Sequence, residues 1–131
     1  MKTMVVGVDG SADSRHAVAW AVELARQTGA RVVAVHAVGL LEHEAGDPTG
    51  AHLEPDLDRW TEALGELAPD RVERRLVAGD PVDALWSAVA DAHADLVVIG
   101  TRGTGATALK LGSTSLRLAE SCACPVVIVP A

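Results

Sequence analysis

Met4-Val5-Val6-Gly7-Val8-Asp9-Gly10-Ser11 decides the fold. Its first five residues form a near-continuous apolar run, the mark of a strand buried on both faces, which is the situation of a central parallel strand. Asp9-Gly10-Ser11 then breaks the run and opens a helix over residues 11–28. Ser11 is available as N-cap, Gly29 as the stop, and Ala17, Ala21, Leu24 and Thr28 as the inner face. The same alternation continues down the chain. Arg31 to Val38 reads as a second strand, and residues 53–67 as an amphipathic helix with Leu53, Leu57, Trp60, Leu64 and Leu67 along one stripe. Val72 to Val77 sets Val72, Arg74 and Leu76 against Glu73, Arg75 and Val77, a pattern suited to an edge strand. Pro81 starts a helix to about His93, with Val82, Leu85, Trp86 and Val89 inward. Leu96-Val97-Val98-Ile99 and Val126-Val127-Ile128-Val129 are the fourth and fifth strands, with a helix near 113–122 between them. Five strands alternating with four helices imply parallel βαβ units with right-handed crossovers, hence an open, doubly wound α/β sheet.

Bulk properties bound the possibilities. The 131 residues suffice for one domain with a real core, and no repeat or second domain interrupts residues 1–131. Apolar residues make up 49% of the chain, with no Phe or Tyr, so Val, Leu, Ile and Ala must build that core. No apolar run approaches the roughly 20 residues needed to span a bilayer. The start of the chain shows no cleavable signal, so a cytoplasmic location is expected. A net charge of −7 argues against an electrostatic grip on nucleic acid or an anionic membrane. Cys122 and Cys124 are too close for an easy disulfide and lack the further ligands that zinc requires, so packed thiols are expected. The long segment from Gly39 to His52, with Glu42, His43, Glu44 and Asp47, is either a lid or a loop without structure of its own.

In such sheets ligands sit beyond the carboxyl ends of the strands where the winding reverses. Two strand ends qualify: Asp9-Gly10-Ser11, and Gly100-Thr101-Arg102-Gly103-Thr104-Gly105, which leads on to Gly112-Ser113-Thr114-Ser115. Glycines admit positive φ and close approach to the backbone, and a helix opening at Ser113 would aim unpaired N–H groups at an anion. Hydroxyls of Ser113 and Ser115 add donors. Arg102, Lys110 and Arg117 lie in a stretch with no acid between Asp95 and Glu120. The alternative is that these glycines only make a tight connection and Ser113 caps a helix. The chain has no G-x-x-x-x-G-K-[ST], so it is not a P-loop protein, and Gly103-Thr104-Gly105-Ala106-Thr107-Ala108 mimics a dinucleotide fingerprint only loosely.

Val6-Gly7-Val8-Asp9-Gly10-Ser11, Val35-His36-Ala37-Val38, Gly79-Asp80-Pro81, Gly100-Thr101-Arg102-Gly103, Gly112-Ser113 and Cys124-Pro125-Val126-Val127-Ile128-Val129 together resemble the universal stress protein family, in order and spacing over essentially the whole chain. The resemblance implies a Rossmann-like sheet of order 3-2-1-4-5 and a homodimer through the last strand, residues 125–130. It also implies an ATP site across the first and fourth strand ends. Carried over by position, Gly7, Val8 and Asp9 flank the adenosine, Ala37 offers backbone contacts to adenine, and Ile99, Gly100, Arg102 and Gly103 line ribose and phosphates. Gly112, Ser113, Thr114 and Ser115 hold the phosphates, with Mg2+ or Mn2+ reaching the site only through them. One departure stands out. Gly103 and Gly112 are separated by eight residues, one fewer than in the nucleotide-binding branch of the family, and one extended residue spans about 3.5 Å.

The implied role is a stress-response sensor or regulator that binds ATP or a related adenine nucleotide. Two other readings stay open: a dimeric interaction module of the same fold without nucleotide, and a slow ATP hydrolase, for which no base is recognisable. No Ser-His-Asp set or carboxylate pair compels catalysis. Asp9 reads as a nucleotide contact or as an Asx cap of its turn, and His36 as a hydrogen-bonded core histidine. His43 and His52 read as solvated loop residues, and Trp20, Trp60 and Trp86 as packing residues. The uncharged Pro125 to Pro130 strand would invite aggregation as an open edge, which pairing with a second copy would prevent.

Overall fold

A computed structural model of the chain describes residues 1–38, 51–101, 113–121 and 123–130. Its strands are β1 (Thr3–Gly7), β2 (Arg31–Val38), β3 (Val72–Ala78), β4 (Leu96–Gly100) and β5 (Val126–Val129). Its α-helices are α1 (Ala12–Thr28), α2 (Glu54–Trp60), α3 (Pro81–Ala92) and α4 (Ser113–Glu120). All strand pairs are parallel, in the order β3-β2-β1-β4-β5. β1 therefore lies at the centre, with Val5 beside Val33 on one side and beside Val97 on the other. The α/β class and the order 3-2-1-4-5 expected from the sequence are those of the structure.

The sheet carries a core on each face because each central strand sends alternate residues both ways. Met4, Val6, Val32, Ala34 and Val98 pack against Ala17, Val18, Ala21 and Val22 of α1. Val5, Val33, Val35, Val97 and Ile99 pack against Val82, Leu85 and Val89 of α3 and Leu118 of α4. β3 behaves as the alternation predicts: Val72 and Leu76 join the α1 face and Val77 the α3 face. Between them Arg75 pairs with Glu73 at 2.6 Å on the exposed edge.

α1 begins and ends where its caps predict. Ser11 accepts from the Ser14 N–H, and Gly29, left-handed at φ 76°, donates its N–H to the Ala25 carbonyl. Its inner face is rotated from the one expected. Ala17, Val18, Ala21, Val22 and Ala25 are buried, Leu24 is half-buried, and Thr28 is exposed with its hydroxyl donating to the Leu24 carbonyl. Trp20 likewise lies outside the packing predicted for it, at 38% exposure.

The single helix expected over 53–67 is three pieces: a 3-10 turn at Ala51–Leu53, α2, and a 3-10 turn at Glu62–Glu66. The break falls at Thr61, which is fully buried. Its hydroxyl donates to the Leu57 carbonyl at 2.7 Å and accepts from Arg74 Nε at 2.7 Å, while Arg74 Nη2 also donates to the Thr61 carbonyl. The Thr61 carbonyl accepts the Leu64 N–H at 2.9 Å in a tighter 3-10 bond and shares its oxygen with Arg74 of β3. The apolar stripe survives the break, since Leu57, Leu64 and Leu67 stay buried beneath α1.

Candidate functional site at the first and fourth strand ends

β1 pairs with β2 on one side and β4 on the other, and the winding reverses between β1 and β4. Their carboxyl ends therefore part and leave a crevice there. On the β1 side Val8 is tied to β2, and the turn Asp9-Gly10-Ser11 that follows carries its own hydrogen bonds. Val8 is buried; its N–H donates to the Val35 carbonyl at 2.9 Å, and its carbonyl accepts from His36 Nδ1 at 2.7 Å. His36 is buried, as a core histidine should be, and meets Trp60 edge-on with ring centroids 5.1 Å apart. Asp9 Oδ1 accepts from the Ser11 N–H at 2.9 Å and the Ser11 hydroxyl at 2.6 Å, an Asx turn. Gly10 has φ +83°, and a Cβ there would sit 2.9 Å from the Trp60 ring. Glycine is required twice over, by conformation and by the indole lying on it.

On the β4 side, Ile99 is buried and its Cγ2 faces Gly7. A Cβ on Gly100 would lie 2.8 Å from the main chain of Asp13 in the first turn of α1, so this glycine lets β4 pass close beneath the helix. The Thr101 hydroxyl donates to Asp13 Oδ2 at 3.0 Å. α4 opens at Ser113 with no acid in its first turn. Its first N–H groups have no partners within the helix, which makes that end a place for an anion. The Ser115 side chain is buried and its hydroxyl donates to the Gly100 carbonyl at 2.9 Å, fastening the helix start to the end of β4. The Ser115 hydroxyl proton expected as an anion donor is instead committed to Gly100.

The structure thus brings Gly7, Val8, Asp9, Ile99, Gly100 and Ser115 to the two strand ends, with Ser113 and Thr114 in the first turn of α4. Ala37 is half-buried near the end of β2, one strand away. Arg102, Gly103 and Gly112 lie outside the described residues, as do Lys110, Cys122 and the stretch 39–50. Arg117 does not join the site as a loose positive charge. Its guanidinium is paired with Asp80, Nη1 on Oδ1 at 2.8 Å and Nη2 on Oδ2 at 3.1 Å. That pairing lies 37 residues back in the chain and has no local sequence signal. Among the described residues no group of three or more His, Cys, Asp or Glu is placed to hold a metal ion. No described helix is long and apolar enough to cross a membrane.

Residues 1–130 match the family model described as the universal stress protein family. The chain belongs to the universal stress protein family. A universal stress protein of Thermus aquaticus is 35% identical over 134 residues, covering 98% of each chain. Some other curated members it matches are about twice as long, so that the chain spans about half of their length. Among solved structures, a universal stress protein in complex with cAMP superposes with a TM-score of 0.78 at 28% identity, covering 98% of this chain and 96% of that one. The Archaeoglobus fulgidus universal stress protein in complex with dAMP shares the fold, with a TM-score of 0.75 at 20% identity over 98% of each chain.

Proposed function

We propose that this universal stress protein binds ATP, or a closely related adenine nucleotide, in the crevice between the β1 and β4 ends and acts as a stress-response sensor or regulator. The observation that carries the reading is the convergence of the Gly7–Ser11 turn, Gly100 and the first turn of α4 at the winding reversal. The residues fit such a ligand. The start of α4 offers main-chain donors and carries no acid, and the β1 turn is preset by its own hydrogen bonds. The cAMP and dAMP complexes of structures with this fold support an adenine nucleotide as the class.

In this reading Gly7, Val8 and Asp9 flank the adenosine and Ala37 offers main-chain groups to the base. Ile99, Gly100, Arg102 and Gly103 line the ribose and phosphates. The main-chain N–H groups of Gly112, Ser113, Thr114 and Ser115 hold the phosphates, and any Mg2+ or Mn2+ arrives bound to those phosphates. The protein is proposed to be cytoplasmic and to dimerise by pairing β5, a sheet edge whose strand Pro125 to Pro130 carries no charge. A monomer by light scattering at micromolar concentration would reject the dimer.

A second reading, a dimeric interaction module that takes no nucleotide, is favoured by the eight-residue interval between Gly103 and Gly112. Denaturing the purified protein and analysing the supernatant by chromatography and mass spectrometry separates the two. Released adenine nucleotide, or a saturable calorimetric signal with added ATP, is the expected result. Neither one would leave the interaction module standing. Steady phosphate release, lost on Gly112→Val, would instead point to slow hydrolysis.

A further inference from the structure

α4 has only eight residues, too few to hold its shape or position unaided, so its placement depends on what grips it. Among its described side chains, Ser115, tied to Gly100, and Leu118, in the α3-side core, are buried. Just beyond its last turn, Trp86 Nε1 donates to the Ser121 hydroxyl at 3.0 Å. A further grip is Arg117 on Asp80, and several contacts fix its geometry. The Asp80 carboxylate also N-caps α3, accepting from the N–H groups of Val82 at 3.0 Å and Asp83 at 3.3 Å. Arg117 therefore closes a two-pronged contact on a carboxylate that the α3 backbone already orients, and a guanidinium fork fixes angle as well as distance. Arg117 first, and then the Asp83 and Val82 N–H groups, hold the Asp80 carboxyl below the usual carboxylate range. The preceding Gly79, at φ +122°, donates its N–H to the Val38 carbonyl at the end of β2. A continuous path thus runs from the β2 end beside Ala37, through Gly79 and Asp80, to the middle of α4.

We propose that Asp80 and Arg117 form a clamp that sets α4 against the β2 end, so that its first turn is in register for a phosphate. Arg117 is a positioning residue and contributes no direct phosphate contact. The inference rests on the nucleotide reading above. It also explains why the one described base of the acid-free stretch is spent on an intramolecular pair.

Calorimetric titration of ATP into the wild-type chain and into Arg117→Gln, Asp80→Asn, the double variant and Arg117→Lys tests the clamp. Asparagine keeps an oxygen to cap α3, so Asp80→Asn removes the pair and leaves the cap. If Arg117 acted only through charge, Arg117→Gln would weaken binding of the anion and Asp80→Asn would strengthen it. The clamp predicts that both single variants weaken binding, by about 1.5- to fivefold for a pair of this exposure. It also predicts that the double variant weakens it no further, and that Arg117→Lys recovers part of the loss. Amide exchange in the ligand-free protein should rise across 113–121 in both single variants while α3 stays protected. Tighter binding by Asp80→Asn, or unchanged affinity in Arg117→Gln, overturns the clamp and leaves the nucleotide reading intact. Failure of the wild-type chain to bind ATP overturns both.

Discussion

The two strand ends that frame the crevice are built on different plans. The hydrogen bonds of the β1 turn close within residues 9–14, where Asp9 accepts from Ser11 and Ser11 caps Ser14; β2 and Trp60 back it from outside. The β4 end is held from a distance. Gly100 fits against Asp13, Thr101 donates to Asp13, and α4 is located by Ser115, Leu118 and the Arg117–Asp80 pair. One wall owes its turn mainly to local hydrogen bonds, and the other takes its position from α1 and α3. A ligand spanning both would read a fixed edge against one whose position depends on tertiary contacts.

That contrast predicts where substitutions hurt. The largest effect belongs to Leu118→Ala, which empties a fully buried site under α4 and should cost about 2–5 kcal/mol in chemical denaturation. A loss under 1 kcal/mol would mean that α4 is not anchored through the core. Gly100→Ala should follow, at about 1–3 kcal/mol, because its Cβ would meet the Asp13 main chain and the backbone must shift. Gly10→Ala should cost about 1–2 kcal/mol from the left-handed backbone, and the added methyl should displace Trp60 and change its fluorescence. Ser115→Ala removes a buried hydrogen bond to the Gly100 carbonyl, about 1 kcal/mol, and should raise amide exchange at the start of α4 while leaving the β1 turn unchanged.

The smallest effect is in pH dependence. The Asp80 carboxyl is depressed chiefly by Arg117, and that of Asp95 by the N–H groups of Lys2 and Thr3. A depressed carboxylate contributes stability that is complete above its unfolded pKa and disappears as pH falls through the folded one. Arg117→Gln should therefore lower stability slightly at neutral pH, and that difference from wild type should close as pH falls through the range where Asp80 is protonated, as followed by thermal melts from pH 7 to pH 2.

Local signals made most of the fold legible. Ser11, Gly29, Pro81 and the Val-rich runs carry their meaning in adjacent residues, and the elements they mark are in place. The failures have a common cause. The 53–67 helix breaks at Thr61, whose hydroxyl and carbonyl both take Arg74, 13 residues on, while the chain tightens into a 3-10 turn. Arg117 counts as site charge until Asp80 is seen to neutralise it. Trp20 keeps helical spacing yet faces outward, on the flank of α1 that the sheet does not cover. The β1 side of the candidate site was readable for the same reason, with Asp9 and Ser11 two residues apart. On the β4 side the glycines and hydroxyls were visible, but the long-range contacts that place them were not.

Amide hydrogen exchange of the full chain with and without saturating ATP tests the central claim most directly. Binding across the two ends predicts slowed exchange at both residues 7–11 and the first turn of α4, with the larger change at α4 because the β1 turn is already closed by its own hydrogen bonds. Protection confined to other parts of the chain, or no change at any ATP concentration, would contradict it.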